Sequence, residues 1–343
     1  MQKYEGYLIK SFVDLSKQAK WCPGRDCNMA CEQPAANAVD VQCTECGKSF
    51  CFACTKDAHM PIDCETLTTW TDRISNGSDD TNNWMKLHTK PCPKCKRPIE
   101  KNSGCMHMTC SQCKYEFCWL CMGDYRKHTA ETGKGLCNSF EDVKKLGRQT
   151  KEMDDVAAIE RELKRLEHYS TRYIEHQKSI VHSEKALNLI KMQIASALEL
   201  NLAYSPLDYQ FLIDISGLII AARRSLSFTY AIRFFLKGAQ KQAFFDFMQG
   251  DLETNLERLN KRMEENWLDY VEYDPQGKLI CGPKFIRYKE NVNTLREVVE
   301  RHLNTVMVEI MNGLPSIMNI QEDEEDYVFD GTNVGTHWTC RVC

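Results

Sequence analysis

The 343-residue chain carries 44 basic and 48 acidic residues, a net charge of -4, and is 43% hydrophobic and 27% charged. That length allows two or three domains, and the charge balance lacks the basic excess of a protein whose main task is coating nucleic acid. The longest apolar stretch, Phe211 to Ala222, is interrupted by Asp214 and followed by Arg223 and Arg224, which argues against a membrane span. The first residues, MQKYEGYLIKSF, lack the charged-then-apolar layout of a secretory signal.

In chain order, Tyr7, Leu8, Phe12, Val13 and Leu15 have loose helical spacing and predict a helix within residues 1–20. Cysteines then dominate: 16 of the 19 lie between Cys22 and Cys137, and only Cys281, Cys340 and Cys343 lie outside. A disulfide framework and metal ligation could each explain such density; Cys-x-x-Cys pairs without a secretory signal favour zinc in a reducing compartment, cytoplasmic or nuclear. The cysteines form a repeat. The first unit runs Cys22, Cys27, Cys43, Cys46, Cys51, Cys54, His59 and Cys64, and the second Cys92, Cys95, Cys110, Cys113, Cys118, Cys121, His128 and Cys137. From the third to the sixth of these residues the intervening gaps are two, four and two in both units. Eight ligands make two tetrahedral sites, so the expectation is two zinc ions per unit and four in all. Closed sites of this kind hold short chains folded rather than perform Lewis-acid chemistry. Whether the ligands pair as consecutive fours or interleave, the spacing leaves open.

Two cysteines of this region remain. Cys31, in DCNMACEQP, reads as a surplus small apolar side chain. Cys105, in EKNSGCMHMTC, follows Ser103 and Gly104, where a turn is expected to expose its thiol. His107 lies two residues on, on the same face of an extended segment, and an imidazole beside a thiol can promote thiolate or take a proton from a nucleophile. Glu116 could orient that imidazole and complete a Cys-His-carboxylate arrangement. The bland readings are that His107 is a spare ligand or a surface residue, or that Cys105 displaces Cys110 from the metal set; the matched gaps favour Cys110 as ligand.

Between the units, Asp79 or Asp80 could cap a short helix carrying Trp84 and Leu87. Lys90, Lys94, Lys96, Arg97 and Lys101 form a short basic cluster without stacking aromatics, read as a solvated face rather than a nucleic-acid site. Beyond it the chain is expected to be helical. No proline occurs between Pro98 and Pro206. Ile159, Leu163, Leu166, Ser170, Tyr173, Gln177 and Ile180 mark one burying face, and the polar members favour packing in a bundle. Ser205 before Pro206 is a helix start and Asp251 a second cap. A further helix is expected from near Arg287 to Met311, stopping by Gly313 and Pro315. The run Glu322 to Asp326 reads as an acidic linker. The fold class is thus small zinc-stabilised domains, two consecutive two-zinc modules, followed by an all-α helical bundle.

The strings WCPGRDC, CFACTKDAHMPIDC, TKPCPKC, EKNSGCMHMTC and YEFCWLC resemble the Ariadne branch of the RING-between-RING (RBR) ubiquitin ligases, and YSTRYIEHQKS, FTYAIRFFLK and DLETNLERLNKRMEE resemble its helical domain. The resemblance covers nearly the whole chain to about Pro315. It implies a helix following an absent first RING (1–20), an in-between-RING zinc domain (21–65), a linker helix (66–90), a catalytic second RING (91–140) and a helical Ariadne domain (141–318). The remainder, 319–343, would be the acidic linker and a truncated RanBP2-type zinc finger holding Cys340 and Cys343. The family's catalytic cysteine, histidine and glutamate fall on Cys105, His107 and Glu116, and its zinc ligands on the sixteen residues above, paired as consecutive fours. The implied reaction takes ubiquitin from a conjugating enzyme as a thioester on Cys105 and passes it to a substrate lysine. The resemblance further implies that the helical domain is autoinhibitory and is released by a neddylated cullin-RING ligase. A covering surface would need polar anchors near Cys105, and Glu257 and His168 lie in suitable segments. The alternative is a non-catalytic zinc scaffold that uses its modules only to bind partners in the ubiquitin system.

Overall fold

A computed structural model describes residues 2–32, 40–75, 89–101, 104–128, 137–138, 140, 151–199, 206–273, 279–280 and 282–313. The chain divides into two compact units with a break between Thr71 and Asp72.

The first unit opens with helix α1 (Gln2–Leu15), present where the apolar spacing places it. It buries Val13 but leaves Tyr7, Leu8, Phe12 and Leu15 exposed. Two antiparallel ribbons follow: β1 (Ala19–Trp21) with β2 (Ala30–Glu32), and β3 (Asp40–Gln42) with β4 (Ser49–Cys51). Strands of three residues cannot support themselves. They close on a small core of Cys22, Cys31, Val41, Cys43, Phe50 and Phe52, so Cys31 is the buried apolar filler its surroundings suggested. Helix α2 (Cys64–Ser75) starts where Asp63 caps it, its Oδ1 accepting from the Thr66 N–H at 2.7 Å. The helix proposed around Asp79, Trp84 and Leu87 lies outside the described residues, as do Ser205, Cys281 and everything after Gly313.

The same plan recurs in the second unit. Ribbons β5 (Thr89–Pro91)/β6 (Pro98–Glu100) and β7 (His107–Thr109)/β8 (Glu116–Cys118) are again antiparallel. Phe117 is fully buried like Phe50, and each bridges to an aspartate seven residues on, Asp124 and Asp57. The repeat read from cysteine spacing is therefore a structural repeat. It has a common backbone cause. At five Cys-x-x-Cys turns the residue after the second cysteine returns its N–H to the carbonyl of the first: Gly47 to Cys43, Thr55 to Cys51, Lys96 to Cys92, Lys114 to Cys110 and Met122 to Cys118, at 2.8–2.9 Å. Each sits at a left-handed φ between 57° and 72°, yet only one is glycine. A side chain there costs about 1–2 kcal/mol, against about 0.5–1 kcal/mol of extra unfolded entropy for glycine. Lys114→Gly should accordingly stabilise the zinc-loaded protein by about 0.5–1 kcal/mol, read as a higher thermal midpoint.

Four long helices complete the second unit: α3 (Lys151–Glu199), α4 (Pro206–Phe235), α5 (Ala239–Met263) and α6 (Pro283–Gly313). Helix α6 begins with its proline at the first helical position, and Phe285, Val292, Val299 and Val306 repeat every seven residues on its buried face. It matches the expected helix and extends it at both ends. Helix α5 corrects another expectation: Asp251 is not a cap but lies mid-helix, because Phe245, Met248, Leu252, Leu256 and Leu259 keep one buried stripe running through it. The start is set instead at Gly238, whose φ is +89°. In α3 the expected burying face is only half right. Ile159 and Leu163 are exposed, while Tyr169, Arg172, His176, Ser179 and Ile180 are buried. This stretch is covered by both α4 and the zinc-binding ribbons, so burial follows tertiary contact rather than apolar period. No helix among the described residues is long and apolar enough to cross a membrane.

Candidate functional site

The cysteines converge as four groups in sequence order, not interleaved: Cys22, Cys27, Cys43 and Cys46; Cys51, Cys54, His59 and Cys64; Cys92, Cys95, Cys110 and Cys113; and Cys118, Cys121 and Cys137. The side chain of His128, expected to complete the last group, lies outside the described residues. Tetrahedral zinc with Zn–S bonds of about 2.3 Å sets neighbouring sulfurs about 3.8 Å apart. The observed separations run from 3.5 Å (Cys22–Cys46) through 3.7 Å (Cys95–Cys110) to 3.9 Å (Cys118–Cys137). In the second group His59 Nε2 lies 3.5 Å from Cys54 Sγ and 3.6 Å from Cys64 Sγ, while its Nδ1 sits 2.7 Å from the Ile62 carbonyl. An N–H donated from Nδ1 leaves Nε2 free as a ligand, the arrangement of a metal-bound imidazole. The donor sets fit zinc.

Cys105 stands apart from these groups, and it is Cys110 that joins Cys92, Cys95 and Cys113. Its surroundings correct the expectation of an exposed thiol: Cys105 is 2% exposed. The cover is polar. Glu257, on α5, accepts the Met106 N–H at 2.8 Å, one residue from the thiol, while its other oxygen pairs with Arg223 of α4 at 3.2 Å. On the other side of the same residue, the Met106 carbonyl accepts the Trp119 N–H at 2.8 Å. Gly104 lets α3 approach closely, since a Cβ there would stand 3.1 Å from Ser183 Oγ and 3.4 Å from the Ser179 carbonyl. Burial, reinforced by the Glu257 charge, pushes the Cys105 thiol well above its ordinary pKa, so in this arrangement it is protonated.

His107 and Glu116 do come together. They are diagonal neighbours across the β7–β8 ribbon, with His107 Nε2 3.2 Å from Glu116 Oε2. Tyr125 stacks on the imidazole, ring centroids 3.7 Å apart. Burial, with Lys261 adding to it, holds His107 below its usual pKa, so the ring is neutral at neutral pH and able to accept a proton.

The basic cluster is not a uniformly solvated face. Lys94, Lys96 and Arg97 are exposed, but Lys101 is buried, donating to Ser179 Oγ at 2.8 Å with Glu175 4.0 Å away. Burial lowers its pKa to about 8 despite Glu175. Lys90 lies over the Trp119 ring, and Trp119 Nε1 donates to Glu175 at 2.9 Å. Of the two candidate anchors, Glu257 reaches the backbone N–H beside the thiol whereas His168 instead meets the Asn138 carbonyl at 3.0 Å. Sequence reasoning missed Arg223 and Glu175. The one available signal was an arginine pair ending the apolar run IIAA, which a helix buried on one side would not otherwise carry.

Models of two related domains match the cysteine-rich units: "IBR domain, a half RING-finger domain" over residues 2–64 and "IBR domain" over residues 87–138. Over 95% of its length the chain is 33% identical to the probable E3 ubiquitin-protein ligase ARI10 of Arabidopsis thaliana, of which it covers 60%. It is 33% identical over 76% of its length to the mouse E3 ubiquitin-protein ligase ARIH2, covering 52% of that protein. A Caenorhabditis elegans E3 ubiquitin-protein ligase, ari-1.1, is 34% identical over 77% of the chain. Over most of its length the chain is thus similar to Ariadne-type E3 ubiquitin-protein ligases. It spans about three fifths of the Arabidopsis relatives' length. The two IBR matches cover the two cysteine repeats, and the identity to ARI10 extends over the helical bundle that covers Cys105.

Proposed function

We propose that this chain is the transferring portion of an RBR-type ubiquitin-protein ligase, with Cys105 as nucleophile, His107 as base and Glu116 as the carboxylate that orients it. The observation that carries this reading is the Cys105 thiol, which belongs to none of the four metal-ligand groups and is buried where Glu257, paired with Arg223 of the helical bundle, holds the adjoining Met106 N–H. Zinc, four ions with His128 as the sixteenth ligand, would hold the two small modules folded. The bundle in its described position would keep the thiol covered and protonated, a resting state.

Once uncovered, Cys105 as thiolate attacks the thioester carbonyl that joins ubiquitin to its conjugating enzyme. The enzyme's cysteine leaves as thiolate and ubiquitin is held on Cys105 Sγ. A substrate lysine amine then attacks the new thioester. Its proton passes to the neutral His107 imidazole, stabilised by Glu116, and the Cys105 thiolate departs. Uncovering requires an outside partner, for which a neddylated cullin-RING ligase is the family's candidate.

The test is incubation with a ubiquitin-charged conjugating enzyme, with a separate first RING supplied. The expected product is a ubiquitin adduct cleaved by thiol reductant. Cys105→Ser should turn it into a reductant-resistant ester and Cys105→Ala should abolish it. An adduct retained by Cys105→Ala would rule out this nucleophile, and no adduct even in a Glu257→Ala background would leave the scaffold alternative standing. The metal assignment has its own readout. Elemental analysis should find four zinc ions per chain, and chelation should collapse the ribbons while most far-UV helical signal persists, since only the ribbons depend on metal.

A further inference from the structure

The last ligand of the second module is held by the bundle rather than by the module. The Cys137 carbonyl accepts from Nε of Arg172 at 2.8 Å and from Nη2 of the same guanidinium, whose Nη1 donates to the His168 carbonyl at 2.9 Å. Arg172 lies on α3 and is 6% exposed. The next residue, Asn138, is also buried and donates from Nδ2 to the Asp246 carbonyl at 2.7 Å and to Gln249 Oε1 at 3.2 Å. Those partners are themselves fixed: Gln249 donates to Thr229 Oγ1 at 2.6 Å, and the Asp246 carboxylate pairs with Arg233. Helices α3, α4 and α5 therefore converge on two residues at the end of a ribbon module. Among the described residues, the neighbouring group Cys92, Cys95, Cys110 and Cys113 takes no hydrogen bond from the bundle.

We propose that Arg172, with the Asn138 cradle beside it, is a positioning device for the metal site of Cys118, Cys121 and Cys137, so that docking of the helical bundle sets how tightly this one site holds zinc. The inference rests on the zinc reading above. A ligand's sulfur can keep its place in a tetrahedron only if its backbone is kept in place, and outer partners of this kind typically matter 10- to 100-fold in metal affinity. Two N–H donors converging on one carbonyl fix position and direction together, which a lysine with its single ammonium would do less well. The guanidinium also sets a buried cation beside a thiolate-rich site that is net negative when it holds Zn²⁺. Linkage makes the coupling reciprocal: whatever weakens docking weakens this zinc site, and loss of this zinc weakens docking.

The test uses the full chain loaded with zinc and exposed to a chelating dye of moderate affinity. Thiols that appear are trapped with N-ethylmaleimide and mapped by mass spectrometry. From Arg172→Ala, one of the four equivalents should leave about 10- to 100-fold faster than from the parent chain. Label should appear first on Cys118, Cys121 and Cys137, with helical signal unchanged, and Arg172→Lys should fall between. Release of all four at the parent rate, faster release of all four together, or first labelling at Cys92, Cys95, Cys110 and Cys113 would overturn the proposal. Should Arg172→Ala fail to fold, Asn138→Ala removes two bonds of the cradle, and unchanged release from that variant would overturn it equally. A parent chain holding well under four zinc ions would instead overturn the metal reading itself.

Discussion

Glu257→Ala should make Cys105 react with N-ethylmaleimide about two to three orders of magnitude faster than in the parent chain, while the metal-bound cysteines stay protected. Arg223 and Glu257 are 0% and 3% exposed and pair at 3.2 Å. Removing one partner of such a pair leaves the other charge buried and uncompensated, at a cost of about 3–5 kcal/mol. The closed arrangement bears that cost, because Glu257 also accepts the Met106 N–H of the second module, and separation of the bundle from the ribbons relieves it. Uncovering simultaneously removes the burial and the carboxylate that hold the thiol protonated, so reactivity rises for two reasons. Replacing both partners with apolar residues, Arg223→Met with Glu257→Leu, should return much of the protection, since an apolar pair strands no charge. Unchanged labelling of Cys105 in a folded Glu257→Ala protein would show that the pair does not hold the cover.

The second large effect is acid sensitivity of the docked bundle, measured as the denaturant midpoint of helical signal between pH 7 and 5. Burial, with Arg172 next to it, lowers the His168 pKa to about 4, against about 6.5 in an unfolded chain. Between those values the unfolded chain binds the proton and the folded one does not. The stabilisation is therefore complete above pH 6.5, shrinks as pH falls, and levels off below pH 4. Linkage gives a loss of about 2 kcal/mol by pH 5. His168→Gln removes the titration and should flatten that slope. A slope as steep as the parent's would place the acid response elsewhere, at His107 or His182, whose pKa values burial also lowers.

Much of this organisation was legible in the sequence. Cysteine spacing is legible because a tetrahedral ion demands a fixed chain path between ligands, and the repeat of two, four and two residues reappears as paired ribbons with Phe50 and Phe117 in equivalent places. Helix α6 was legible because its apolar residues recur at one period along a single buried face. What failed did so for a shared reason. Burial of Cys105, the polar buried face of α3 around Arg172 and His176, and the withdrawal of Lys101 from solvent all depend on a surface brought from more than thirty residues away in the chain. Local pattern carries no record of such a surface when its contacts are made by charged groups. Asp251 misled for the opposite reason: an acidic residue ahead of a charged helical stretch resembles a cap, but the apolar stripe through Phe245 and Leu252 overrides it.

The left-handed turns after each Cys-x-x-Cys bear on how the protein would fare during metal shortage. Thr55, Lys96, Lys114 and Met122 are wound against their own preference, and under the zinc assignment the ion is what keeps them wound. An ion that departs lets its loops spring back, so the next ion meets a chain that must be rewound before it can be gripped. Emptying would then be quick and refilling slow, for emptied and newly made copies alike.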